Sequence, residues 1–168
     1  MASSDPRIIY IKQDINIGPY NNFKFILDAA NGSFFMWLAA DDYIIDNDYI
    51  EKLLYEILTK NLDYAFSNVD TISENGSYLF SGVHPSAKSL VSEYDFGMFS
   101  LKYCSSHQFY GLFKTDCVKD FYKYIEFFTN NKCYNEGLFV HAISFYLKGA
   151  FISNVKKAYR LHDANMSR

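Results

Sequence analysis

Cysteine is scarce in this chain. Its 168 residues include three, Cys104, Cys117 and Cys133. An odd number at wide spacing, with no Cys-x-x-Cys pair, excludes a disulfide framework and a zinc ribbon, and it fits a reducing compartment such as the cytoplasm. Proline is as rare at 3 residues and glycine stands at 8, while hydrophobic residues make up 49%. That balance excludes a disordered or low-complexity chain. No apolar run reaches the roughly 18 residues that cross a bilayer, and Met1 to Pro6 is too polar for a secretory leader. Positive charge is not in excess either: the formal net charge of -3 lacks the basic footprint of a nucleic-acid binder. What remains is a chain of the right size for one domain, residues 1–168, with a real core. With 15 Tyr and 16 Phe, that core is expected to be strongly aromatic.

Arg7 to Ile11, RIIYI, has the composition of a buried strand, and the turn-rich QDINIGPYNN follows it. From Asn21 or Asn22 as N-cap, the spacing of Phe23, Ile26, Leu27 and Ala30 predicts a helix that stops at Asn31-Gly32. FFMWL (residues 34–38) reads as a second strand. Strand, helix, strand is a βαβ unit with parallel strands and a right-handed crossover. Asp41 and Asp42 then lie just past the carboxyl end of a parallel strand, where open α/β sheets bind their ligands. Asp46 or Asn47 is a candidate cap for an amphipathic helix carrying Ile50, Leu53, Leu54, Ile57 and Leu58. DYAFSNVDTIS reads as a strand, and the turn Glu74-Asn75-Gly76-Ser77 before YLFSG predicts an antiparallel hairpin. A weaker pattern suggests a helix over 89–101. HQFYGLFKTDCVKDFYKYI carries a glycine within an aromatic run, then Thr115 or Asp116 as the cap of a short helix. NEGLFVHAISFYLKG reads as a helix ended by Gly149, with Leu138, Ile143, Phe145 and Leu147 on its apolar face. AFISNV and KKAYRLH read as two closing strands.

The ordered set Asn16-Ile17-Gly18, Asn21-Asn22, Ala30-Asn31-Gly32 and an aromatic strand running into Asp41-Asp42 resembles family 2 glycosyltransferases. Phe109 to Lys114 resembles a "YGLFR" segment of a subgroup. Glu136, then Tyr159-Arg160-Leu161-His162 and Ser167, resemble that family's acidic catalytic-base segment and its closing element. The resemblance implies an α/β fold, a partial GT-A (Rossmann-like) mixed sheet with flanking helices. It also implies inverting transfer of a sugar from a nucleotide-diphosphate sugar to a glycan or lipid-linked acceptor, in the cytoplasm or peripheral to the inner face of the membrane. The family's first half, a strand into a P-x-Y-N-like turn and a second strand into an acidic motif, has no counterpart upstream of Arg7. The expectation is therefore a truncated domain, inactive in one version, with a homodimer through an exposed sheet edge as its partner.

Departure of a diphosphate calls for a hard cation, Mn²⁺ or Mg²⁺, held by one or two carboxylates with positions open for phosphate oxygens. The resemblance assigns this to Asp41 as direct ligand with Asp42 in support, because Ala39 occupies the pattern's leading acidic position. Taken alone, an Asp-Asp pair is as readily a solvated turn. Glu136 is the expected general base, taking the proton of the attacking hydroxyl; the plain alternative is a first-turn glutamate favoured by the helix dipole. Arg160 and His162 occupy alternate positions and so share a face if the segment is extended. The resemblance brings them toward the diphosphate and the metal, whereas in isolation they read as a surface arginine and a satisfied histidine. His84, His107 and His141 have no such support, and Lys114 keeps charge but not the fork of an arginine. Asn16 and Gly18 are read as loop-shaping, and Tyr103, Phe109 and Tyr110 as sugar-stacking faces or core. Two rival classes remain: a noncatalytic glycan- or partner-binding remnant, and another α/β enzyme such as a phosphohydrolase using Asp41.

Overall fold

A computed structural model describes residues 5–81, 98, 107–129 and 136–163. Of the helix expected over 89–101 only Met98, which is helical, is described, and His84, Tyr103 and Ser167 lie outside the described residues. Helices α1 (Gly18–Ala29), α2 (Tyr49–Lys60), α3 (Thr115–Thr129) and α4 (Glu136–Tyr146) flank a mixed sheet. Its strands are β1 (Phe34–Phe35), β2 (Tyr43–Ile44), β3 (Tyr64–Ile72), β4 (Tyr78–Ser81), β5 (Leu112–Lys114) and β6 (Gly149–Arg160). The strand order is β1-β5-β3-β6-β2, and β4 pairs with the far half of β3. This is the expected α/β class, a mixed sheet consistent with a partial GT-A fold.

The long pair β3 and β6 runs parallel at the centre, while β5 is antiparallel to both β1 and β3. It follows that β1, β3 and β6 all point the same way. The turn after FFMWL and the end of β6 therefore meet at one edge of the sheet, and that edge carries the polar residues discussed below.

Trp37 is the centre of one core. It stacks on Phe109 with ring centroids 4.4 Å apart and meets Phe35 and Phe139 edge-on at 4.6 and 5.8 Å. Each such side chain contributes about 1.5–3 kcal/mol by leaving water. On a second core, Tyr49, Leu53 and Ile57, spaced one turn apart along α2, close over Ala65, Ile152 and Val155. Ile50 and Leu58 of the expected stripe face solvent, so the buried stripe is narrower than the apolar content of α2 implies.

Several expectations change in the structure. RIIYI is not a strand: Ile9 and Tyr10 are 81% and 75% exposed, and residues 7–11 hold no regular structure. Strand formation needs a neighbour for its N–H and C=O groups, and β-branched composition does not supply one. The parallel βαβ unit over residues 7–38 is thus absent. FFMWL instead places Phe34 and Phe35 antiparallel to Lys114 and Phe113, and parallel pairing comes from β3 and β6. Helix α1 starts at Gly18, whose φ of +77° suits glycine and whose N–H donates to Asn16 Oδ1 at 2.9 Å. Asn21 caps nothing there and donates to the Ile17 carbonyl oxygen. Asp48 is the N-cap of α2 and pairs with Lys52, because Asp46 is drawn across to β6, where Oδ2 accepts the Lys156 N–H at 2.7 Å. Thr115 Oγ1 is buried without a hydrogen-bond partner, so it caps no helix through its side chain. The two closing strands are one, with a register shift where Ser67 pairs with Ile152 and Asn68 with Lys156. Helix α4 buries Phe139, Val140, Ile143 and Ser144. The hairpin is as read: β3 and β4 are antiparallel around Gly76 at φ +88°.

Candidate functional site

Chain direction and one short strand pairing build the site. After Trp37 the chain turns at 39–42, where the Asp42 N–H donates to the Ala39 carbonyl oxygen at 3.2 Å, and β2 then pairs Tyr43 with Ala158 and Ile44 with Lys157. That register lays the Asp-Asp turn against the end of β6.

Four sequence-predicted residues meet there. The Arg160 backbone N–H donates to Asp42 Oδ1 at 3.1 Å. The Arg160 guanidinium donates from Nε to the Asp41 carbonyl oxygen at 3.2 Å and from Nη1 to the Glu74 carbonyl oxygen at 2.6 Å, which ties the β3–β4 turn to the same point. His162 Nε2 lies 2.8 Å from Asp41 Oδ2. A carboxylate only accepts, so Nε2 is the nitrogen carrying the proton in that contact.

The two aspartates are not equivalent. Asp41 is partly exposed, whereas Asp42 is 8% exposed and its Oδ2 is buried without a hydrogen-bond partner. Burial pushes the Asp42 carboxyl above the ordinary carboxylate range, opposed by the Arg160 N–H and by the charges of Lys157 and Arg160. An unsatisfied buried carboxylate oxygen at a cluster of oxygen and imidazole groups is chemistry that suits a hard divalent cation. Among the described residues, no group of three or more His, Cys, Asp or Glu is placed to hold a metal ion by itself. A cation here would rely on one or two carboxylates plus oxygens of its ligand, the mode usual for Mg²⁺ at phosphate sites.

Lys157 was not singled out by the sequence reading. It is 3% exposed, with Nζ 3.9 Å from the centroid of the Tyr110 ring. The signal was present in Lys156-Lys157: two adjacent lysines on a strand face opposite ways, so one of them points inward. Lys156 takes the outer position and pairs with Asp70 at 3.0 Å.

Other candidates lie elsewhere. Glu136 opens α4, and its side chain is outside the described residues. Lys114 donates to Asn61 Oδ1 at 3.3 Å and sits 3.8 Å from Asp63, at the opposite end of β3. Phe109 is fully buried beneath Trp37 and so belongs to the core. His141 is half-buried on α4.

Residues 1–115 match the family model described as Glycosyl transferase family 2. No curated protein matches the chain. The matched residues include Asp41 and Asp42, while Arg160 and His162 lie beyond them and join through the fold.

Proposed function

The chain belongs to glycosyl transferase family 2, and on that premise we propose that Asp41, Asp42, Arg160 and His162 form the donor site of a sugar transferase. The donor is a nucleotide-diphosphate sugar and the acceptor a glycan or lipid-linked saccharide, met in the cytoplasm or at the inner face of the membrane. Residues 1–168 act as one domain. The observation that carries this reading is the contact of His162 Nε2 with Asp41 Oδ2 at 2.8 Å, made while Arg160 holds both aspartates. Residues 119 and 121 positions apart have no local reason to converge.

Asp41 is the direct ligand of Mn²⁺ or Mg²⁺ in this reading, supported by its exposure and by the second oxygen left beside the one His162 takes. Such a cation supplies positive charge to a departing diphosphate. Asp42 shapes the turn by fixing the end of β6. Glu136 is the proposed base: the acceptor oxygen forms a bond to the anomeric carbon and its proton passes to the Glu136 carboxylate. The bond from that carbon to the diphosphate oxygen breaks with its electron pair, and configuration inverts.

Calorimetry with Mn²⁺ and UDP or GDP tests the reading. Metal-dependent nucleotide binding that Asp41→Asn abolishes is expected. Absence of binding by the folded wild-type chain would overturn the donor site for these nucleotides. It would favour a second reading, a noncatalytic glycan- or partner-binding domain that dimerises through a sheet edge. Two observations favour that alternative: β1 pairs only with β5 among the described strands, and the run Ile8 to Ile11 is exposed. Unpaired edges and apolar runs of this kind recruit partners. Small-angle scattering would then give a dimer mass.

A further inference from the structure

We infer that Ser73 is a positioning residue of this site, one whose hydroxyl locks the β3–β4 turn so that the Glu74 carbonyl stays aimed at the Arg160 guanidinium. Strand β6 lies between β2 and β3, and Arg160 is fastened from both sides, by the Asp41 carbonyl oxygen at 3.2 Å and the Glu74 carbonyl oxygen at 2.6 Å. Both acceptors are uncharged, so this fastening directs the guanidinium without neutralising it. The approach of turn and arginine is set by strand pairing: Ile72 lies opposite Arg160, and the Leu161 N–H donates to the Ile72 carbonyl oxygen at 2.8 Å. What remains adjustable is the peptide plane that carries the Glu74 oxygen.

The Gly76 N–H donates to the Ser73 carbonyl oxygen at 2.9 Å, which makes Ser73 to Gly76 a β-turn with Glu74 and Asn75 at its centre. Among the described residues Asn61 alone of the non-glycine residues has a positive φ, so Asn75 does not hold the positive φ that a type II turn requires. Types I and II differ by a flip of the central peptide, and that flip turns the carbonyl of its first residue to the other side. Asparagine is one of the few residues that accepts either form. The residue types therefore leave the direction of the Glu74 oxygen open, and side-chain bonds settle it. Ser73 Oγ donates to Asn75 Oδ1, and the Ser77 N–H is shared between Ser73 Oγ at 3.0 Å and Asn75 Oδ1 at 3.1 Å. Two of these three bonds use the Ser73 hydroxyl. Without it the central peptide is free to flip, and Arg160 loses one of its two fastenings.

The inference rests on the donor-site reading only for its ligand arm. The chain has three arginines, Arg7, Arg160 and Arg168, so the side-chain signals of Arg160 in nitrogen-15 NMR are assigned by their loss in Arg160→Lys. In Ser73→Ala the Arg160 guanidinium N–H groups are expected to exchange with water about 10-fold faster, and Mn²⁺–UDP affinity, by calorimetry, to fall about 10-fold. Ser73→Thr keeps the hydroxyl and is expected to match the wild type in both. Unchanged exchange in Ser73→Ala would overturn the inference, and so would a Ser73→Thr that behaves like Ser73→Ala, because the hydroxyl would then not be the cause. Faster exchange at unchanged affinity would overturn the role of Ser73 in the donor site. If Ser73→Ala does not fold, Asn75→Gly, which removes the shared Oδ1, is read by the same criteria. If the wild type binds no Mn²⁺–UDP, the donor-site reading falls, and the exchange rates still decide whether Ser73 aims Arg160.

Discussion

The two ends of the β3–β6 pair use the same device and finish it differently. At the amino end Asp63 accepts the Lys148 N–H on Oδ2 at 2.9 Å, while Oδ1 faces the Cys117 thiol at 3.7 Å and the Lys114 ammonium at 3.8 Å. Its backbone is also occupied, donating to the Lys148 carbonyl oxygen and accepting from the Lys114 N–H, both at 2.8 Å. At the carboxyl end Asp42 likewise accepts the N–H of the adjoining strand from Arg160, yet its second oxygen is buried and unbonded, and Asp41 beside it is half-exposed. One carboxylate is closed by the protein. The other end leaves one oxygen of Asp42 without a hydrogen bond and Asp41 partly exposed, and in the proposed donor site it is Asp41 that takes the cation.

Crossed substitutions sharpen this contrast most. Asp41→Asn is expected to weaken Mn²⁺–UDP binding by at least about 100-fold without moving the unfolding midpoint. Asp63→Ala is expected to do the reverse, costing about 1.5–3 kcal/mol in urea unfolding at unchanged affinity, since it strands the Lys148 N–H and the Lys114 charge. If both variants lose stability and affinity together, the two ends are one cooperative unit and the contrast fails.

Gly149→Ala probes the closed end through packing. A Cβ at Gly149 would run into the Tyr64 ring, and a fully buried ring in a full core has little room to yield. A loss of about 1–3 kcal/mol is expected, with the site at the far end of β6 unaffected. His162→Gln, at the open end, is expected to reduce metal–nucleotide affinity about 10-fold by releasing Asp41, with stability unchanged. The smallest effect concerns Cys117. Burial, then the nearby Asp63 charge, raises its thiol above the ordinary value of 9.0. Thiolate is therefore scarce below pH 9, and iodoacetamide labelling of the Cys117 peptide, followed by mass spectrometry, should stay slow at pH 8 and accelerate only above pH 9. Rapid labelling at pH 8 would show the closed end to be open to solvent.

Much of this was legible in the chain. The helix α2, the turn at Gly76 and the length of β3 were read correctly because each depends on neighbours within a few positions. RIIYI misled because strand-forming composition is common to paired and unpaired segments, and only a partner strand makes the difference. On α4 the expected apolar face holds at Ile143, which is buried, and at Leu147, which packs against the core, while Phe139 and Val140 join it through packing because apolar residues ring the helix. Lys157 was overlooked because a lysine is nearly always solvated, and nothing in its immediate sequence says which side of the strand is enclosed.

By itself the sequence determined the α/β class, the aromatic core and the family, since these follow from composition, short-range spacing and an ordered series of motifs. The tertiary structure alone decided which strands run parallel, which aspartate is buried, and that His162 reaches Asp41 across 121 positions. Those outcomes depend on strand register, and register is set by the packing of whole faces against one another, which no local stretch of chain encodes.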